Sequence, residues 1–360
     1  MIEPKRVSFI TLGCKTNQYE TNAMEQKFKS SGYEIVNYNE NNENNIDIHI
    51  VNTCSVTNMA QRKSRQMLRR IKQKNPHAIV VACGCYAQVA KEEILKIPEV
   101  DLILGTNEKN EIVQIVEEYI KNKKESTIVT DVMLESEFHD FGTVTYTEQT
   151  RAVIKVQDGC DRFCSYCIIP FARGKVRSRE PQNIIKEIEE IAKQGIKEVI
   201  LTGIHIASYG KDFKSDKVEQ YRKQYNYDDK YIQFDEKDDL MTGGFRLIEL
   251  LEQINKIKEI ERIRLGSIEP KLITKEFLHR LTKLDKICHH FHLSLQSGCD
   301  ETLKRMNRRY TIEEFRNIVK ILREIYSDVI LTTDIIVGFP RRKHRGIWQN
   351  IQFHKRNKVL

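Results

Sequence analysis

The stretch "QDGCDRFCSYC", Gln157 to Cys167, gathers three of the chain's nine cysteines at C-x3-C-x2-C spacing. It continues an apolar segment, "AVIKVQDG" (152–159), that alternates as a strand does. A protein metal site usually takes four ligands, and this loop offers three. Three thiolates leave a tetrahedral or cubane site incomplete, and an incomplete site is what a catalyst needs. In a [4Fe–4S] cube each iron needs one external ligand, so three cysteines hold three irons and leave the fourth open. A zinc site with a distant fourth residue is the other reading of the same spacing. A ligand loop directly after a strand also places the site at the strand's C-terminal end, where βα barrels carry their active sites.

Working outward, a strand and helix series surrounds the loop. Strands read at 152–159, 198–204, 262–268, 290–296 and 328–338, and helices at 182–194, 246–258, 274–284 and 312–325. This alternation predicts a whole or partial βα barrel over 151–340. Residues 211–243 are charged and tyrosine-rich without a strand pattern, and read as an inserted surface loop. Five strands fall short of a full barrel, so an α/β fold with a partial barrel is expected. After "DIIVGFP" the apolar periodicity fades into "RRKHRGIWQNIQFHKRNKVL" (341–360).

Upstream, residues 1–121 show a second α/β series. Strands read at 7–13, 46–54, 78–85 and 100–105, with helices at 17–32, 59–76 and 109–121. An open parallel sheet follows from this pattern, with ligands beyond the C-terminal strand ends. Cys14, Cys54 and Cys85 sit at three such ends, so neighbouring strands would bring their thiols to one rim. Cys83 lies two residues before Cys85 and is expected to point the same way, but the turn favours Cys85 as the ligand. Residues 122–150 are polar and aperiodic and read as a linker.

Composition narrows the class. The formal charge is +8, but the last twenty residues carry seven Lys and Arg and no acid, which leaves +1 for the rest. Nucleic-acid binding must therefore rest on local clusters. Two qualify: Arg62, Lys63, Arg65, Arg69 and Arg70 on one helix, and Arg173, Lys175, Arg177 and Arg179 just past the cysteine loop. An odd cysteine count in a long chain argues against a disulfide scaffold. Cys288 and Cys299 stand apart from any ligand pattern and read as inert. No apolar run reaches the length of a membrane span, and no signal sequence opens the chain, so a cytoplasmic protein without membrane contact is expected.

With an aromatic residue, Tyr166, before its last cysteine, the C-x3-C-x2-C loop resembles the radical S-adenosylmethionine (SAM) enzymes. In that family the open iron chelates SAM, whose reductive cleavage yields a 5′-deoxyadenosyl radical. The resemblance implies SAM contacts from Tyr166, from Thr202 and Gly203 in "LTGIHIASYG", from Ser267 in "RLGSIEP", and from Ser294 and Gln296 in "HLSLQSG". "GCKTNQYET" (13–21), "NTCSVTNMAQRKSRQ" (52–66) and "GCYAQ" (84–88) are further similar to the N-terminal domain of the methylthiotransferases. There a second [4Fe–4S] cluster carries the sulfur, and its ligands map onto Cys14, Cys54 and Cys85, beside Cys160, Cys164 and Cys167 for the first.

Around "GCKTNQYE" and "CDRFCSYCIIPFARG" the chain looks most like the branch that acts on N6-threonylcarbamoyladenosine in tRNA. That branch attaches a methylthio group to carbon 2 of N6-threonylcarbamoyladenosine beside the anticodon. The branches for isopentenyladenosine in tRNA and for a ribosomal-protein aspartate are alternatives, as is an inactive iron–sulfur protein. The resemblance implies two [4Fe–4S] clusters, SAM, a tRNA anticodon stem-loop, an external electron donor and a monomer. It also implies a small RNA-binding barrel (TRAM) after the radical domain, where this chain has its divergent basic tail. Weak tRNA binding and low activity are the corresponding expectation.

Overall fold

The computed structural model describes residues 5–38, 45–123, 127–145, 150–227 and 244–341. It divides into two compact units, one of residues up to Glu148 with Ile168–Lys175, the other of Gln149–Cys167 with the chain from Val176 onward. The tail from 342 and the part of the insertion at 228–243 lie outside the described residues.

The first unit is built on strands β1 (Arg6–Thr11), β2 (Glu34–Ile35), β3 (Ile48–Thr53), β4 (Ile79–Gly84), β5 (Leu102–Leu104) and β6 (Thr127–Ile128). Its helices are α1 (Lys15–Ser30), α2 (Asn58–Lys74), α3 (Cys85–Val89), α4 (Lys91–Ile94), α5 (Ile112–Asn122) and α6 (Ile169–Arg173). The sheet order is β2-β1-β3-β4-β5-β6, and every pairing is parallel. Alternate residues of the strands feed two cores. Val7, Ile48, Ile50, Val81 and Leu102 pack with Met24 and Phe28 of α1 and Val116 of α5. Ile10, Val51, Val80 and Ile103 pack on the other face with Leu68 and Ile71 of α2 and Tyr86 of α3. Each such aliphatic side chain contributes roughly 1.5–3 kcal/mol when fully buried. The open parallel sheet covered on both faces is therefore as expected. Its order reverses between β1 and β3, and ligands in such sheets sit beyond the strand ends at that point.

The presumed linker is corrected in part. Thr127–Ile128 adds an edge strand to the sheet, Val132 and Val144 are buried, and Gln26 of α1 bonds the Thr143 carbonyl and the Thr145 N–H, each at 2.8 Å. A two-residue strand is too short to leave a periodic pattern, which is why composition alone suggested a tether.

The second unit holds β7 (Ala152–Asp158), β8 (Arg177–Ser178), β9 (Glu198–Gly203), β10 (Arg262–Leu265), β11 (His290–His292) and β12 (Ile330–Thr332). Between them lie α7 (Pro181–Lys193), α8 (Ser215–Tyr225), α9 (Leu247–Asn255), α10 (Lys275–Leu281), α11 (Asp300–Arg305) and α12 (Ile312–Ile325). β7, β9 and β10 run parallel, β8 joins β7 antiparallel, and β11 pairs parallel with β12. Single parallel bridges, Ile263 to Ile287 and Ile268 to Leu293, carry the series from β10 toward β11. This is the expected partial barrel, five parallel strands in chain order. Local chemistry sets its helix starts: Pro181 opens α7, and Thr311 with Glu314 forms a capping box on α12.

The insertion is also corrected where it is described. Ser215–Tyr225 is a helix, and Phe213, Tyr221, Tyr225 and Tyr227 pack in turn around one another and Phe245. Only Val218 and Tyr221 of that helix are buried, so its sequence shows no apolar period.

Candidate functional site

In the first unit the cysteine-bearing motifs form one hydrogen-bonded fabric. Cys14 caps the N-terminus of α1 in extended conformation, Cys54 follows β3, and Cys85 begins α3. Asn17 donates to the Leu12 carbonyl at 2.8 Å and to the Thr53 carbonyl at 3.1 Å, tying the turns before Cys14 and Cys54 together. Asn52 donates to the Asn17 carbonyl at 3.0 Å. The Thr53 hydroxyl donates to the Cys83 carbonyl at 2.6 Å and accepts from the Ala87 N–H at 3.2 Å, which binds the third strand end to the second. Two glycines are required here. A Cβ on Gly13 would stand 2.7 Å from the Cys54 sulfur, and one on Gly84 would meet Asn52 Oδ1 at 2.5 Å, both at positive φ.

Burial raises the Cys54 thiol pKa, a backbone hydrogen bond from Val56 opposes this, and the Cys85 and Cys14 sulfurs reinforce it. The Cys54 thiol is thus within electrostatic reach of both Cys14 and Cys85. Cys83 is corrected. It lies in the α1 and α5 core with no exposure, and burial pushes its thiol up to about 12. The chain leaves strand geometry at Gly84, so the alternation linking Cys83 to Cys85 does not hold.

In the second unit the loop 160–167 is clamped from three sides. Arg162 Nε donates to Glu269 Oε2 at 3.0 Å, and His205 Nε2 bonds the same oxygen. Ser165 Oγ donates to the Arg305 carbonyl at 2.9 Å, and Asn307 Nδ2 to the carbonyls of Arg162 and Phe163 at 3.2 and 3.1 Å. Arg308 Nη1 lies 3.6 Å from the Cys164 sulfur, its Nη2 donates to the Ser294 carbonyl at 3.0 Å, and its guanidinium stacks on the Tyr310 ring. Burial would lower the Arg308 pKa, but Tyr310, Tyr166, Glu269 and Cys164 outweigh it and raise it. Burial would also raise Glu269, yet His205, Arg162 and Arg308 hold it down at about 2. The Cys160 thiol is pushed up to about 12 by burial, with Cys164 and Cys167 adding to the effect.

Sequence reasoning missed Arg162, His205, Glu269, Asn307, Arg308 and Tyr310 as the frame of this loop. The run "MNRRY" (306–310) was the available signal, a basic pair and an aromatic between two helices. Of the residues expected to meet SAM, all but Tyr166 lie at or just past strand ends. Thr202 is buried and Gly203 ends β9, where a Cβ would meet the Gln157 carbonyl at 2.8 Å. Ser267 is exposed, and the Ser294 carbonyl is bonded by Arg308 and Tyr310. Gln296 has φ +66° and accepts the Ile336 N–H. Tyr166 is partly exposed beside Arg308.

The second basic cluster is corrected. Arg173, Arg177 and Arg179 are buried and face carboxylates: Arg173 bonds Glu20 at 2.6 Å, Arg179 bonds Glu187 at 2.9 Å, and Arg177 lies 3.9 Å from Asp158. Their paired charges are withdrawn from any phosphate, and only Lys175 remains exposed. On α2, Arg62, Lys63 and Arg69 are exposed, whereas Arg65 donates to the Tyr86 hydroxyl at 2.7 Å.

Among the described residues, no group of three or more His, Cys, Asp or Glu side chains is gathered tightly enough for a single metal ion. A cube spreads its ligands over separate irons. Cys160, Cys164 and Cys167 in the second unit, and Cys14, Cys54 and Cys85 in the first, are the side chains that could each ligate one iron of such a cube. No described helix is long and apolar enough to cross a membrane.

Residues 6–105 match the uncharacterized protein family UPF0004, and residues 154–353 match the radical SAM superfamily. The chain is 39% identical over 351 residues to the threonylcarbamoyladenosine tRNA methylthiotransferase MtaB of Aquifex aeolicus, covering 98% of this chain and 77% of that protein. Its identity to the protein of the same name from Bacillus subtilis is 36% over 353 residues, 98% of this chain and 71% of that one. To the tRNA-2-methylthio-N(6)-dimethylallyladenosine synthase of Clostridium tetani it is also 36%, over 96% of this chain and 70% of the relative. Among solved structures, the radical SAM methyltransferase TsrM from Kitasatospora setae superposes with a TM-score of 0.63 at 13% identity, over 99% of this chain and 74% of that one. The cobalamin-dependent radical SAM enzyme OxsB gives 0.62 at 12%, over 99% and 53%. These two likenesses concern the fold. By sequence and by its cysteine loop, this chain belongs to the radical SAM methylthiotransferases, enzymes that work with SAM and a [4Fe–4S] cluster.

Proposed function

We propose that this chain attaches a methylthio group to carbon 2 of N6-threonylcarbamoyladenosine in the tRNA anticodon stem-loop, using two [4Fe–4S] clusters. Cys160, Cys164 and Cys167 hold one, and Cys14, Cys54 and Cys85 the other. The single observation that carries the reading is the pair of separate cysteine triplets, neither of which belongs to a complete single-metal site among the described residues. A radical enzyme that only abstracts hydrogen needs one such site; adding sulfur calls for a second place to hold it.

Carbon 2 of adenine carries an unactivated C–H bond that no side-chain acid or base handles near neutral pH. When bound, SAM and its cluster supply the one-electron chemistry this bond requires. The protein's own part is placement. Glu269 fixes Arg162 and His205, and with Asn307 and Arg308 this holds the 160–167 loop in one shape. Thr202, Gly203, Ser267, Ser294 and Gln296, at or just past strand ends, and Tyr166, in the cysteine loop, are the residues we assign to SAM. Arg62, Lys63, Arg69 and Lys175 are the exposed members of the two basic clusters, suited to tRNA phosphates. An external electron donor completes the system.

The test is anaerobic reconstitution with iron and sulfide, then incubation with SAM, a reductant and tRNA carrying either N6-threonylcarbamoyladenosine or N6-isopentenyladenosine. Mass spectrometry of the nucleosides should show the 2-methylthio product from the first. Product only from the second would transfer the assignment to that branch, which the similarity to the Clostridium tetani protein keeps in view.

A further inference from the structure

One buried side chain in the first unit reaches a cysteine sulfur. Arg173 follows Cys167 by six positions and packs with the first unit, fully buried. Its Nη1 bonds Glu20 at 2.6 Å, and its Nη2 bonds Glu20 at 3.0 Å and Asn17 Oδ1 at 2.8 Å. The remaining edge of the guanidinium, Nε, donates to the Cys85 sulfur at 3.3 Å. Lys109, equally buried, bonds Glu20 at 2.5 Å. Glu20 thus meets two buried cations, Arg173 and Lys109. The same Asn17 that orients Arg173 ties the turns of Cys14 and Cys54.

We propose that Arg173 is a positioning residue for the cluster of Cys14, Cys54 and Cys85, donating to the Cys85 sulfur so that this ligand is fixed and the cluster's reduction potential raised. The inference rests on the reading of these three cysteines as cluster ligands. Hydrogen bonds to cluster sulfurs raise reduction potentials, and partners that orient ligands typically govern metal retention by 10–100-fold. Arginine suits the task because its planar fork reaches carboxylate, amide and sulfur together. Lysine, a point charge, can keep the ion pair with Glu20 and still miss the sulfur.

The experiment uses the full chain with Cys160, Cys164 and Cys167 all replaced by Ala, so that only the first site can load. After anaerobic reconstitution, this parent should hold about four irons. Failure to hold them overturns the reading of the cysteines, and the inference with it. Adding Arg173→Lys should leave apoprotein melting near the parent's, move the midpoint potential to more negative values, and speed iron loss to a chelator roughly tenfold. An unchanged potential and unchanged iron loss would overturn the role of Arg173. Should Arg173→Lys fail to fold, the parent labelled with 15N-arginine decides the matter. Its reduced cluster should show a 15N coupling in pulsed electron paramagnetic resonance, and absence of that coupling overturns the proposal.

Discussion

The two cysteine triplets reach similar donor sets by opposite routes. In the second unit, one loop of eight residues supplies all three thiols, and the rest of the unit clamps the loop through Glu269, Asn307 and Arg308. In the first, three strand ends separated by up to seventy residues each supply one thiol, and parallel order brings them together. Each triplet has an arginine against one sulfur, Arg308 on Cys164 and Arg173 on Cys85. The difference teaches where each site is vulnerable. A loop site depends on its clamps, whereas a strand-end site depends on the sheet and on the glycines that let its turns close.

The comparison is broken most sharply by removing ligands. Cys164→Ala should abolish both SAM cleavage and methylthiolation, while about four irons remain at the first site. Cys54→Ala should abolish methylthiolation yet leave reductant-dependent SAM cleavage measurable. If both variants lose SAM cleavage equally, the division of labour between the triplets is wrong.

Next in size is the clamp. Glu269→Gln leaves Arg162 without its buried countercharge, and breaking such a pair typically costs 3–5 kcal/mol. Chemical denaturation of the apoprotein should show this loss in the second unit. The pH dependence has a definite sign. The Glu269 carboxyl is held down at about 2 in the folded state, against about 4.3 when unfolded. Its contribution, on the order of 3 kcal/mol, is therefore present above about pH 4.5 and lost as pH falls toward 2. Acid titration of Glu269→Gln should lack that component.

Gly84→Ala tests the other unit. It places a side chain at φ +96° and within 2.5 Å of Asn52 Oδ1, so a loss of about 1–3 kcal/mol is expected, with weaker iron retention at the first site alone. The smallest effect should come from the surface. Replacing Arg62, Lys63 and Arg69 together by Ala should weaken tRNA binding several-fold and flatten its salt dependence, leaving SAM cleavage without tRNA unchanged. A salt slope equal to the parent's would remove α2 from the tRNA surface.

Much of this was legible in the sequence because the signals were local. The strands around both triplets appear within a few residues of their expected positions. Arg173, Arg177 and Arg179 read as a basic run because the chain shows charge and hides pairing; their partners Glu20, Asp158 and Glu187 are contributed by other elements. Cys83 shows the same limit at closer range, since one glycine at positive φ reverses what alternation implies for its neighbour.

By itself, then, the sequence determined the class of chemistry, because the spacing of three thiols in a single loop is a property of the chain, and it determined the alternation that makes an α/β fold. Only the tertiary structure decided which sulfurs are braced and by what. Burial forces each cation to find its countercharge or a sulfur at a distance in the chain that no periodicity encodes. That is how Arg173 came to stand against Cys85 instead of solvent, and Glu269 against Arg162 and His205.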